Sequence, residues 1–167
     1  MKTKTRNNII KNKNIFDVLD MSLDQNYSTS IVVPFVCSDS FNFSSRFLKA
    51  SFERYHILEQ NFRLNKPEMA KIKLFKVREN NIGNNIIFVS MPCHDQKRKP
   101  RKISYRDLIL CMSQVSRILD MQKRNGYNVS IHAPKFGTGI SGGNWNIISE
   151  LINDTWSNYE VNIYEPL

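Results

Sequence analysis

Apolar and polar positions alternate along this chain in two rhythms, short apolar runs in the first half and a strand–helix alternation in the second. Positions 31–37 (Ile-Val-Val-Pro-Phe-Val-Cys) form a continuous apolar run between polar residues, which predicts a buried strand. From 43 to 62 the spacing turns helical. Phe43, Phe47, Leu48 and Phe52 share a face that Tyr55, Leu58 and Phe62 continue, predicting one helix. Positions 71–78 alternate through Ile72, Leu74, Phe75 and Val77, and 86–91 is a second apolar strand; the turn-forming Asn-Asn-Ile-Gly-Asn-Asn between them predicts a hairpin.

The second half reads more cleanly. Ser104 with Asp107 makes an N-terminal capping pattern, Tyr105, Leu108, Ile109, Met112, Val115 and Leu119 form a stripe, and Gly126 sits where a left-handed C-terminal residue is wanted. A helix over 104–126 follows, then a strand over 127–133, a helix over 145–156 and a strand over 161–164. A hairpin followed by strands alternating with helices predicts a three-layer α/β/α domain with a mixed central sheet, spanning 15–167 behind a basic segment at 1–14.

Four of the six glycines fall within seven residues, at Gly137, Gly139, Gly142 and Gly143, between the strand at 127–133 and the helix at 145–156. A strand entering a helix through glycines lets backbone N–H groups approach a ligand, and the helix N-terminus adds partial positive charge, an arrangement suited to phosphate. Gly137, Gly139 and Gly142 spell G-x-G-x-x-G, but only 25 residues follow Gly142, whereas dinucleotide-binding folds carry this motif at their first strand. No Gly-Lys-Ser/Thr follows, which excludes a Walker loop.

Charge is concentrated in two places. Lys2, Lys4, Arg6, Lys11 and Lys13 precede any acid, and Lys97, Arg98, Lys99, Arg101 and Lys102 form a second block; the other 14 bases face 15 acids. Single-sign clusters on an otherwise neutral body attract polyanions or an acidic protein face. Three cysteines predict a reducing compartment, the cytoplasm. No run approaches the roughly 18 apolar residues of a membrane span. Three cysteines and three histidines without paired-ligand spacing give no metal site, and no cofactor is expected.

Among candidate chemical groups, Cys93-His94-Asp95 is set aside for catalysis because neighbours in an extended chain point apart; His94 and Asp95, beside the basic run, either line the pocket mouth or are plain loop residues, and the loop reading is preferred. His132 reads as a buried or edge histidine, Trp145 and Trp156 as helix packing, and Cys37, Phe43, Phe47, Cys111 and Met112 as core.

The run from Ile131 through the glycines to Trp145 resembles the last strand, loop and helix of macro domains, the ADP-ribose-binding family, in particular its bacterial and phage members that remove ADP-ribose from acidic side chains. The likeness extends back through Ser104-Tyr105 and forward to Val161-Asn162-Ile163-Tyr164. Phe35-Val36-Cys37-Ser38-Asp39 sits where the family has His-x-Cys-Asn-Asp, Phe43-Ser44-Ser45-Arg46-Phe47 where it has Trp-Gly-x-Gly-Phe, and Phe16-Asp17 where an early Gly-Asp holds adenine. The resemblance implies an ADP-ribose or phosphate pocket made of Asp17, Ser38, Asp39, Ser44, Arg46, Gly137, Thr138, Gly139, Ile140, Ser141 and Gly142.

Several positions depart from the pattern. Ser44 and Arg46 stand where two glycines meet the diphosphate, and Ser38 stands where an asparagine faces the distal ribose. Ser141 occupies the place of a catalytic acid, and the attacking lysine, due near Met91-Pro92, is not there. The expectation is therefore a catalytically degenerate, monomeric module without catalytic residues, regulating nucleic acid or a nucleic-acid machine through its two basic segments. Size and basic character are also similar to those of small early phage proteins that shut off host transcription, which implies RNA polymerase and DNA as partners. The alternative is ADP-ribose binding, ADP-ribosyl hydrolysis or nucleotide phosphatase activity in the glycine-loop pocket.

Overall fold

The computed structural model describes residues 7–22, 28–41, 45–79, 84–95, 97, 102–139 and 141–165. In chain order these form β1 (Asn8–Ile10), α1 (Ile15–Ser22), β2 (Thr29–Ser38), α2 (Arg46–Arg54), α3 (His56–Leu64), β3 (Lys73–Glu79), β4 (Asn85–His94), α4 (Tyr105–Arg124), β5 (Asn128–Pro134), α5 (Trp145–Thr155) and β6 (Glu160–Tyr164). The strands make one sheet in the order β1-β6-β5-β2-β4-β3, parallel throughout except for β3, which runs antiparallel to β4 as the predicted hairpin requires.

Both faces of the sheet are covered, which explains the unbroken apolar runs of β2 and β4. Side chains alternate between the layers: Ile31, Val33, Phe35 and Phe88 pack with Leu19 of α1, Leu48 of α2 and Leu58 and Phe62 of α3. Val32, Val89, Met91 and Ile131 pack with Leu108, Met112 and Val115 of α4 and Ile148 and Ile152 of α5. Aromatic rings thicken the first layer, with Phe47 stacked between Phe16 and Phe88 at centroid distances of 5.9 and 6.2 Å. This is the expected α/β/α arrangement with a mixed sheet.

The long helix begins and ends as its sequence predicts. Ser104 accepts the Asp107 amide at 3.3 Å, and Gly126, with φ of 88°, donates to the Lys123 carbonyl while Tyr127 donates to that of Gln122. The predicted single helix over 43–62 is corrected to two, α2 and α3. Ser45 caps α2 through the Leu48 amide, and the chain leaves helical geometry at Tyr55, whose ring is buried against Phe16 and Phe88. Tertiary packing of that ring breaks a periodicity that runs through the sequence without interruption.

Two elements had no sequence expectation. Asn14 accepts the Phe16 amide at 2.9 Å and so starts α1, and β1 pairs with β6 through Asn8, Ile9 and Ile10. The basic residues Lys11 and Lys13 therefore follow a strand, with Lys11 3.9 Å from Glu165. Lys2, Lys4, Arg6, Phe43, Ser44, Arg98, Lys99, Arg101 and Ile140 lie outside the described residues.

Candidate crevice at the strand ends

The sheet opens at the carboxyl ends of its central strands. β2 pairs with β5 only as far as Val32 beside Ile131, yet pairs with β4 to Ser38 beside His94. Pro34, which has no N–H to give either neighbour, lies just past the parting. From β2 the chain leads to β4 on one side, and from β4 through α4 to β5 on the other. A ligand crevice is expected at such a reversal of direction.

One wall is the glycine loop. Gly143 donates to the Gly137 carbonyl at 2.7 Å and Gly142 to that of Gly139 at 3.0 Å, folding the loop on itself. The bend needs Gly137, whose φ is 80°, and it leaves no room for a side chain at Gly143, where a Cβ would stand 2.3 Å from the Gly137 oxygen. Beneath the loop lie Ile103 and Ile148.

Two amides at the N-terminus of α5 are engaged by the protein itself. Asn144 donates its amide to the Tyr105 hydroxyl at 2.8 Å and accepts the Asn146 amide on its own side chain at 2.9 Å. Part of the helix end is thus capped internally, and the glycine loop offers further amides. There the amides of Thr138, Gly139 and Ser141 carry no hydrogen bond among the described residues, and the Cβ position of Gly139 faces open space.

The floor is supplied by β4 and the start of α4. Ile103 donates to the Ser141 carbonyl and Ser104 to that of Cys93, both at 2.8 Å, and His94 forms a bridge with Ile103. These bonds clamp the glycine loop onto the end of β4. The preferred loop reading of His94 is thus corrected: it ends β4, is 5% exposed, and its Nδ1 lies 3.4 Å from Ser141 Oγ of the glycine loop, at the place the alternative reading gave it. Its Nε2 is buried with no hydrogen-bond partner among the described residues. The group facing the position of the expected acid is this imidazole, two residues beyond Pro92.

The remaining predicted residues are spread more widely. Ser38 is buried and turns its hydroxyl onto Ser40, and Asp39 donates its amide to the His94 carbonyl at 3.3 Å, so both border the crevice. Thr138 is half-buried in the loop. Asp17 is exposed in the first turn of α1, within electrostatic reach of Arg54. Arg46 opens α2 and lines an outer cavity of about 680 Å³ with Phe41, Lys49 and Phe52. Lys97 and Lys102 are exposed on the segment joining β4 to α4, and Lys97 is held in a turn by its amide bond to Asp95.

The other side chains singled out from sequence are structural. His132 is buried between the Tyr164 hydroxyl at 2.7 Å and Ser130 Oγ at 3.1 Å, and burial, opposed by Glu160, lowers its pKa to about 4. Trp156 is fully buried and donates Nε1 to the Met112 carbonyl, while Trp145 packs edge-on to Phe136. Burial pushes the thiols of Cys37, Cys93 and Cys111 up, leaving them protonated and unreactive. Among the described residues there is no cluster that could hold a metal, and no helix is long and apolar enough to cross a membrane.

No protein-family model matches the sequence, and no curated protein matches it. Solved structures do. A protein from Bacteroides thetaiotaomicron superposes with a TM-score of 0.72 at 17% identity over 96% of this chain and all of its own. A macrodomain protein from Streptomyces coelicolor gives 0.63 at 18% identity over 95% of this chain and 99% of its own. DarTG of Thermosipho africanus, solved in complex with ADP-ribose, gives 0.57 at 18% identity over 81% of this chain and 38% of its own. The order of the strands, the two helical layers and these superpositions agree with the likeness carried by the glycine loop: the chain has the macrodomain fold.

Proposed function

We propose that this chain is a binding module that takes an ADP-ribose-type nucleotide in the crevice between β2 and β5 and holds it without hydrolysis. The observation that carries this reading is the set of unbonded amides in the glycine loop. The amides of Thr138, Gly139 and Ser141 carry no hydrogen bond among the described residues, and Gly139 opens onto free space where a diphosphate can approach the backbone. The structural likeness to a macrodomain protein and to DarTG bound to ADP-ribose supports the choice of nucleotide. Holding rather than cleaving is supported by Ser141, which stands where the resemblance calls for an acid, and by the missing lysine near Met91-Pro92. Calorimetry with ADP-ribose tests it: a micromolar heat that vanishes in Gly139→Glu is expected, and silence from the wild type overturns it.

A second reading concerns the rim. The basic block Lys97, Arg98, Lys99, Arg101 and Lys102 lies in the β4–α4 connection, whose end at Ile103 is bonded to the glycine loop. A regulatory contact with nucleic acid, or with a nucleic-acid machine such as RNA polymerase, would then form beside the crevice. Single-sign charge next to a phosphate-binding loop favours a polyanionic partner.

A further inference from the structure

We propose that the His94 imidazole is the side chain that meets the bound nucleotide, its Nε2–H donating to an oxygen of the diphosphate or of the distal ribose; the proposal rests on the nucleotide reading above. His94 sits where the carboxyl ends of β2 and β4 and the loop after β5 converge. The Asp39 amide is bonded to its carbonyl, Ile103 is its bridge partner, and Ser141 Oγ lies 3.4 Å from its Nδ1. Either atom of that pair can be the donor; the inferred contact uses the tautomer in which Ser141 donates to Nδ1 and Nε2 carries the proton.

That nitrogen is buried and without a partner among the described residues. A buried polar group left unmatched is costly, so a site that retains one is expected to satisfy it in its working state. The other buried side-chain atoms without a partner lie away from the crevice. Ser30 and Asn85 are at the opposite ends of β2 and β4, Ser90 is within β4, Tyr55 is between α2 and α3, and Gln122 is near the end of α4. His94 alone among them touches the glycine loop. With Nε2 shielded from solvent, a ligand oxygen reaches it only when the ring turns or the chain over it shifts, so the contact forms on binding.

Two substitutions separate the ring's nitrogens. The amide of glutamine reaches the position of Nε2, whereas that of asparagine reaches only Nδ1 and the Ser141 contact. In the full chain, His94→Asn is expected to weaken ADP-ribose binding about tenfold and His94→Gln to retain most of it, the effect of one hydrogen bond to a buried group. Titration with ADP as a second probe assigns the oxygen: equal loss for ADP and ADP-ribose places the contact on the diphosphate, and loss for ADP-ribose alone places it on the distal ribose. Imidazole ¹⁵N spectra of the wild type, which need no variant to fold, are expected to shift at Nε2 on adding ADP-ribose. Binding by the wild type with an unmoved Nε2 signal, or equal affinities for His94→Asn and His94→Gln, overturns this inference and leaves the nucleotide reading standing. A wild type that binds neither probe overturns both.

Discussion

The amide of Gly143 donates to the carbonyl of Gly137 at 2.7 Å, and a Cβ built on Gly143 would stand 2.3 Å from that same oxygen. The two glycines are thus coupled, one supplying the left-handed bend and the other the close approach that closes it.

Gly143→Ala must separate the two backbones, breaking their hydrogen bond and pressing the loop onto Ile103 and Ile148. It is expected to destabilise the fold by about 2–3 kcal/mol. Gly139, whose Cβ would meet nothing within 4 Å, should accept alanine within about 0.5 kcal/mol. Urea unfolding of the two variants checks the contrast. Equal losses would mean that the loop is not folded on itself in this way.

Stability should fall on mild acidification because of His132. Burial lowers its pKa in the folded state to about 4 from the ordinary 6.5, so the unfolded chain binds the proton more readily between those values. The contribution is fully present above pH 6.5 and is lost as pH falls toward 4, amounting to roughly 3 kcal/mol. Comparison of unfolding free energies for the wild type and His132→Gln from pH 7 to 4.5 isolates it: the variant should lack this part of the slope.

The parts of the fold that were legible in sequence are those decided by neighbours along the chain. Ser104 and Gly126 delimit α4 because caps act through backbone groups a few residues away. The strand–glycine–helix order near the C-terminus was legible for the same reason. The break at Tyr55 was not, since no glycine or proline marks it and the ring that causes it is buried by Phe16 and Phe88, far off in sequence. His94 was hidden for a related reason. Adjacent to a basic run it reads as loop, and its burial beside Ile103 and Ser141 depends on contacts with residues distant in sequence. The engagement of the Asn144 amide depends on Tyr105, 39 positions earlier, which no local motif announces.

Trp156 offers a test of how the two helices on one face are joined. Its indole Nε1 donates to the Met112 carbonyl at 3.1 Å from a fully buried position against Phe136. Trp156→Phe removes the donor and leaves a cavity between α4 and α5, and is expected to cost about 2–4 kcal/mol. Trp145→Phe, at a half-buried position, should cost under about 1 kcal/mol. Thermal unfolding distinguishes them, and a mild Trp156 variant would contradict the packing described between these helices.

The basic block in the β4–α4 connection predicts a salt response. If Lys97, Arg98, Lys99, Arg101 and Lys102 meet phosphates, binding to a DNA oligonucleotide releases counterions, and the logarithm of affinity falls linearly with that of salt concentration by roughly 0.9 for each phosphate contact. Replacing these five residues with glutamate should weaken binding and flatten the slope by several contacts. It should leave the unfolding midpoint almost unchanged, because Lys97 and Lys102 are exposed. ADP-ribose binding, read by calorimetry on the same variant, should persist, since the nucleotide is proposed to meet the loop amides rather than these side chains. Affinity for DNA that does not change between low and high salt removes the nucleic-acid reading while leaving the crevice and its ligand in place.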